Sequence, residues 1–134
     1  MNPTMSSTET VLVVDNDREL RDLIRAVLEH RGLNVVTTCD GQEAFRYLTR
    51  HSLPSLVLLD FNMPNMDGFQ FRALQLKDER LRAVPVVFMT AIDQIPEQRD
   101  DLAHVRCLKK PFEVEDLLNA VAHYVATPRS KDET

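Results

Sequence analysis

The sequence predicts a single three-layer α/β domain, a parallel β-sheet covered by helices on both faces. Three observations carry this. Short apolar runs and segments of helical period alternate five times along the chain, and strands that alternate with helices pair in parallel through right-handed crossovers. Leu56-Val57-Leu58-Leu59 is a continuous branched apolar run, the pattern of a strand buried on both faces. That run ends on a carboxylate, Asp60, and open α/β sheets place their ligands at the carboxyl ends of their strands. A length of 134 residues suits one domain of ordinary size.

Each element has its own justification. Thr10 to Val14 is a short β-rich apolar run. Asp17 stands where a helix cap belongs, Leu20, Leu23, Ile24, Val27 and Leu28 follow at helical spacing, and Gly32 lies beyond the helix end. Asn34 to Cys39 is rich in Val and Thr and suits a second strand. Gly41 opens a helix with Ala44, Phe45 and Leu48 on one side, and Pro54 breaks the chain before the strand ending at Asp60. Asp67 caps a third helix from Gly68, with Phe71 and Leu74 inward. Val84 to Met89 reads as a fourth buried strand, Pro96 to Ala103 as a short charged helix, and Val105 to Leu108 as a fifth strand. Glu113 to Ala126 is the final helix, with Val114, Leu117, Leu118, Val121 and Val125 as its stripe. The domain thus spans residues 10–126, with residues 1–9 and 127–134 as flexible tails.

Bulk properties exclude several classes of function. Apolar residues make up 43% and charged residues 28%, as in ordinary globular proteins. A net charge of −5 argues against a direct nucleic-acid surface, which is usually basic. No apolar run approaches the roughly 18 residues of a membrane span, and the polar N-terminus lacks a hydrophobic signal core. Cys39 and Cys107 form no metal-ligand pattern, and a reducing cytoplasm is the expected setting. His30, His51, His104 and His123 share no spacing and read as surface residues.

Polar residues gather at the strand ends. The first strand runs into Asp15-Asn16-Asp17, the third ends in Asp60, the fourth runs into Thr90, and the fifth into Lys109-Lys110-Pro111-Phe112. In a parallel sheet these ends share one edge. Two carboxylates about 4 Å apart repel by roughly 4 kcal/mol at an effective dielectric of about 20, so Asp15 and Asp60 need a cation between them. Oxygen donors favour Mg²⁺, which takes only one or two carboxylates and keeps several waters. Asp60 can act as a nucleophile toward a phosphoryl group. The Thr90 hydroxyl and the Lys110 ammonium can each engage a phosphoryl oxygen.

The ordered set of motifs resembles a receiver domain of bacterial two-component response regulators: the acidic cluster after the first strand, Leu58-Leu59-Asp60-Phe61-Asn62-Met63-Pro64-Asn65-Met66-Asp67-Gly68, Met89-Thr90-Ala91, and Lys110-Pro111-Phe112. The likeness runs from about Thr10 to Ala126. It implies a flavodoxin-like fold with strand order 2-1-3-4-5 and a cis Lys110–Pro111 bond. It implies that Asp60 accepts a phosphoryl group from a histidine kinase or histidine phosphotransfer protein, and that Thr90 and Lys110 read that group. Asp15, Asp60 and the backbone carbonyl of Asn62 would hold Mg²⁺, with the Asn16 amide where the family usually has a second acid. A downstream protein target would dock on the face of the fourth helix, fifth strand and fifth helix. Such a module is not a metabolic enzyme, and catalyses only its own phosphorylation and dephosphorylation.

The chain departs from the family pattern in three places. Asn16 brings no charge, which implies a higher Mg²⁺ requirement. Cys107 replaces a common aromatic residue and is too small to swing inward as that residue does. The stretch from Thr90 to Lys110 is slightly short, with Ala103-His104 where a Gly-Ala pair is usual. These features leave two other readings: a phosphorylation-independent binding module with the same fold, and a haloacid-dehalogenase-like phosphatase in which Asp15 is the nucleophile of an Asp-x-Asp motif.

Overall fold

The computed structural model describes residues 9–91 and 106–126. Five strands form one parallel sheet: β1 (Thr10–Val14), β2 (Asn34–Thr38), β3 (Leu56–Asp60), β4 (Val86–Ala91) and β5 (Arg106–Lys110), in the order β2-β1-β3-β4-β5. The predicted topology is therefore the observed one. Four helices complete the described residues: α1 (Arg18–His30), α2 (Gly41–Arg50), α3 (Gly68–Lys77) and α4 (Val114–Ala122), with a short 3₁₀ turn at Leu81–Ala83. The expected helix over Pro96 to Ala103 lies outside the described residues, as do Val105, His104 and nearly all of the two expected tails. Among the described residues no helix is long and apolar enough to cross a membrane.

Strand periodicity divides the core into two. Successive side chains point to opposite faces, so Val11, Val13, Leu56, Leu58, Val87 and Met89 pack with Ile24 and Leu28 of α1 and Leu117 and Val121 of α4. The alternate residues Leu12, Val14, Val57, Leu59, Val86 and Phe88 pack with Ala44 and Leu48 of α2 and Phe71 of α3. All five residues of β3 are buried, as a central strand covered on both faces requires.

Local chemistry sets the helix ends. Asp17 accepts hydrogen bonds from the Glu19 and Leu20 amides at the start of α1. The helix closes through Gly32, whose φ of 86° is left-handed, with Leu33 N–H donating back to the Leu28 carbonyl, the bond pattern that ends many helices at glycine. Asp67 and Gln70 form a reciprocal capping box on α3.

Several boundaries and inward positions differ from expectation. β2 stops at Thr38, leaving Cys39 exposed. β4 starts at Val86 because Val84 closes the 3₁₀ turn onto the Leu81 carbonyl. β5 continues to Lys110 rather than stopping at Leu108. The last helix ends at Ala122, although Val125 beyond it remains buried, and Val114 in its first turn is exposed. In α3 Phe71 is inward as expected, but its inward companion one turn on is Gln75, 1% exposed, while Leu74 is 45% exposed. Gln75 Nε2 donates to the carbonyls of Leu81 at 3.0 Å and Val84 at 2.8 Å. A buried carbonyl without a donor is costly, so the amide holds the place that apolar periodicity would give to leucine.

This sets an expectation for urea denaturation. Gln75→Leu is to cost about 1–3 kcal/mol by taking the side-chain donor from the Val84 carbonyl and leaving the Leu81 carbonyl only its bond from the Val84 amide, whereas Leu74→Gln is to stay within about 0.5 kcal/mol of the parent. Reversed magnitudes would show that Leu74 supports the core.

Candidate functional site

The sheet register delivers three charged side chains to one spot. Val14 pairs with Leu59, Asp60 with Met89, and Ala91 with Lys110, so the carboxyl ends of β1, β3 and β5 finish at the same edge. Asp15 follows β1 and is 0% exposed; Asp60 ends β3 and is 6% exposed. The Lys110 ammonium lies between them, 2.8 Å from Asp15 Oδ2 and 3.3 Å from Asp60 Oδ1.

Asp15 is held on every side. Its N–H donates to the Thr38 carbonyl at 3.1 Å. Its Oδ1 accepts from the Asp17 amide at 2.8 Å, and its carbonyl accepts from Arg21 Nη1 at 2.7 Å. Asp60 is held more loosely: beyond Lys110 it accepts a long 3.4 Å bond from the Asn62 amide. Thr90 is buried at the same edge, one residue past the β4 partner of Asp60, and its hydroxyl donates to the Ala91 carbonyl at 3.1 Å. Asn16 and Asn62 are exposed. Asp15, Asp60 and Lys110 thus touch, Asn62 reaches Asp60 through its amide, and Thr90 stands on the same edge with its hydroxyl turned to its own strand.

The loop from β3 to α3 has to close tightly beside the acceptor edge. Gly68 N–H donates to the Phe61 carbonyl at 2.8 Å. A Cβ at Gly68 would lie 2.8 Å from the Phe88 ring and 3.1 Å from the Phe61 Cα, so only glycine fits. Asn65 takes a left-handed φ of 72°, which asparagine tolerates better than most residues. Lys110–Pro111 is cis, as the resemblance implied.

The electrostatics follow from burial. Desolvation, then the neighbouring Asp15 charge, push the Asp60 carboxyl above the ordinary carboxylate range, and Lys110 only partly opposes them. Burial works against the Lys110 ammonium, but its hydrogen bond and attraction to Asp15, and then Asp60, outweigh it and raise its pKa. Burial also raises the Cys107 thiol. That residue is half-buried and packs against the cluster containing Phe88, the behaviour of a small core residue rather than a reactive thiolate.

The donor set suits a hard divalent cation. All available donors are oxygens, two of them buried carboxylates that already draw in a cationic group. Among the described residues no three His, Cys, Asp or Glu side chains cluster as a metal cage, so water and neutral oxygens would have to complete the shell, as Mg²⁺ commonly allows. Sequence reasoning missed Arg21 and Thr38. The signal for Arg21 was a basic residue one turn into the helix that follows the acidic cluster.

Comparison with known proteins agrees with this geometry. Residues 11–122 match the response regulator receiver domain. Response regulator Rre1 of Synechocystis sp. is 32% identical over 96% of this chain, which spans 57% of that relative's length. The chemotaxis response regulator CheY4 of Vibrio cholerae has a TM-score of 0.79 at 26% identity, covering 89% of this chain and all of that one. The receiver domain of the sensor histidine kinase PA1611 of Pseudomonas aeruginosa has a TM-score of 0.77 at 25% identity over 88% of this chain and 98% of that one, and holds a magnesium ion in its active-site cleft. The fold and the match define a receiver domain of the kind used in response regulators, a class of signalling module. The chain belongs to the response regulator receiver domain family, which does not favour the phosphatase and phosphorylation-independent readings.

The raised Asp60 pKa has a stability consequence. Its folded value exceeds its unfolded value, so its contribution is fully present below the unfolded value and is lost as pH rises through the folded one. Metal-free Asp60→Asn is therefore expected to melt at a higher temperature than the parent at neutral pH. The gap is to shrink as the pH falls below the ordinary carboxylate range, as thermal melts across pH will show; a gap independent of pH contradicts this account.

Proposed function

We propose that Asp60 is the phosphoryl acceptor of this receiver domain, with Lys110 and Thr90 engaging the transferred group and Asp15, Asp60, Asn16 and the Asn62 carbonyl holding Mg²⁺. The observation that carries this is the Lys110 ammonium set between two buried carboxylates at the sheet edge. An Asp60 carboxylate oxygen attacks the phosphorus of a phosphohistidine; the P–N bond breaks, a P–O bond forms, and the imidazole leaves with its electron pair. Lys110 then exchanges its contact with Asp60 for a phosphoryl oxygen while keeping Asp15. Thr90 turns its hydroxyl from the Ala91 carbonyl toward a second phosphoryl oxygen. Mg²⁺, when bound, offsets the charge of the incoming group, and Asn16 contributes an amide oxygen without charge. Hydrolysis by water at phosphorus, releasing inorganic phosphate, resets the site.

The donor is a histidine kinase or histidine phosphotransfer protein. Leu20 and Leu23 of α1 line an apolar cleft of about 400 Å³ with Lys110, Pro111 and Phe112, and Leu23 is 51% exposed. That cleft adjoins the acceptor, where an amphipathic helix carrying the phosphohistidine would sit. A groove between β5 and α4, lined by Cys107, Lys109 and Asn119 among others, is the described part of the face offered to a downstream protein. The setting we infer is the cytoplasm.

Incubation with acetyl phosphate and Mg²⁺, followed by mapping of the modified residue, tests the assignment. Label is expected on Asp60 and absent in Asp60→Asn. Label on Asp15 would restore the phosphatase-like reading, and no label in either protein would restore the phosphorylation-independent one. Leu23→Asp is expected to slow transfer from a phosphohistidine donor about tenfold or more by removing an interface anchor, with the acetyl phosphate rate unchanged. Equal loss with both donors would place the fault in the site rather than the docking surface.

A further inference from the structure

Asp15 has four polar groups, and three are committed to the sheet, to the Asp17 amide and to Lys110. The fourth, its carbonyl, belongs to the peptide that joins Asp15 to Asn16. Arg21 Nη1 donates to that oxygen at 2.7 Å from one turn into α1. At 0% exposure that carbonyl has no access to solvent, and a buried acceptor needs a donor. The orientation of the Asp15–Asn16 peptide plane decides two things at once: where the Asp15 carboxylate points, and where the exposed Asn16 side chain leaves the backbone.

We propose that Arg21 is a positioning residue that clamps the Asp15–Asn16 peptide and so pre-orients the oxygen donors contributed by the β1–α1 turn. This inference rests on the metal reading above for its second consequence but not for its first. The clamp matters more here than at a site with two acidic residues, because the neutral Asn16 amide has no charge to draw itself onto a cation and depends on being placed.

A rival role is distinguishable by sign. If Arg21 acted only as a nearby positive charge, removing it would leave the acidic edge more negative and tighten binding of a divalent cation. If it acts as a clamp, removing it loosens the donors and weakens binding, as loss of an outer-shell partner usually does. The structure favours the clamp, because the guanidinium is bonded to the backbone carbonyl of Asp15.

Two measurements on the full chain test this. In metal-free protein, hydrogen exchange of the Asp17 amide, which is bonded to Asp15 Oδ1, is expected to quicken about tenfold in Arg21→Met through local opening of the turn, with the Leu12 and Val13 amides unaffected. In calorimetric titration with Mg²⁺ alone, Arg21→Met is expected to bind about tenfold more weakly, and Arg21→Lys, which keeps a donor, to recover part of the loss. Arg21→Gln, a milder truncation, is to move both readouts in the same direction should the Met variant not fold. Unchanged Asp17 exchange, or Mg²⁺ bound as tightly or more tightly, would overturn the clamp. If the parent itself binds no Mg²⁺, the metal reading fails while the exchange arm still decides the role of Arg21.

Discussion

Two carboxylates buried at neighbouring strand ends can coexist only with a cation between them, and in this protein that cation is the Lys110 ammonium. Removing a charge from water is expensive, and attraction in the interior offsets the cost only when geometry is good. The geometry is uneven. Asp15 is bonded at 2.8 Å and supported by backbone donors, while Asp60 takes the longer 3.3 Å contact. One lysine facing two aspartates leaves a net negative charge, and the Asp60 carboxyl is pushed upward by burial first and by the neighbouring Asp15 charge second. An uneven clamp of this kind keeps Asp15 fixed and Asp60 available.

The rest of the fold serves that arrangement. Parallel order brings β1, β3 and β5 to the same edge, although their residues are far apart in the chain. Two apolar layers hold the sheet from both sides, so the register that aligns Asp60 with Met89 and Ala91 with Lys110 cannot slip without turning core side chains outward. Gly68 lets the loop after Asp60 fold against Phe61 and Phe88. Asp17 caps α1 while its amide holds Asp15, which ties the start of a helix to the orientation of a site carboxylate.

In the proposed reading the same features make a switch. Thr90 is buried with its hydroxyl bonded to the adjacent carbonyl of its own strand, a bond it can exchange for a phosphoryl oxygen. β4 pairs with β5 at Thr90–Lys109 and Ala91–Lys110, so a shift at Thr90 is felt first along β5. Cys107 on that strand is packed against the Phe88 cluster and has neither the size nor the reach of an aromatic lever. Phosphorylation then biases an existing equilibrium between two surface states, with the backbone pairing of β4 and β5 rather than a large side chain as the coupling element.

Much of this was legible in the sequence, because period-2 and helical patterning report which side of an element faces the core and because alternation of strands and helices implies parallel pairing; the strand order came from the family resemblance. The run into Asp60, the caps at Asp17 and Asp67, the turn at Gly32 and the convergence of Asp15, Asp60 and Lys110 all lay in that information. What the sequence could not decide were choices between neighbours in space. Gln75 displaces Leu74 from the interior because its amide donates to the Leu81 and Val84 carbonyls of the turn that follows α3. Val84 leaves its strand because a 3₁₀ turn claims it. Arg21 reaches the Asp15 carbonyl because α1 starts where β1 ends. Patterning fixes the environment a residue prefers, whereas a hydrogen-bond partner is set by which groups the folded chain leaves without water, and that exists only once the tertiary structure has formed.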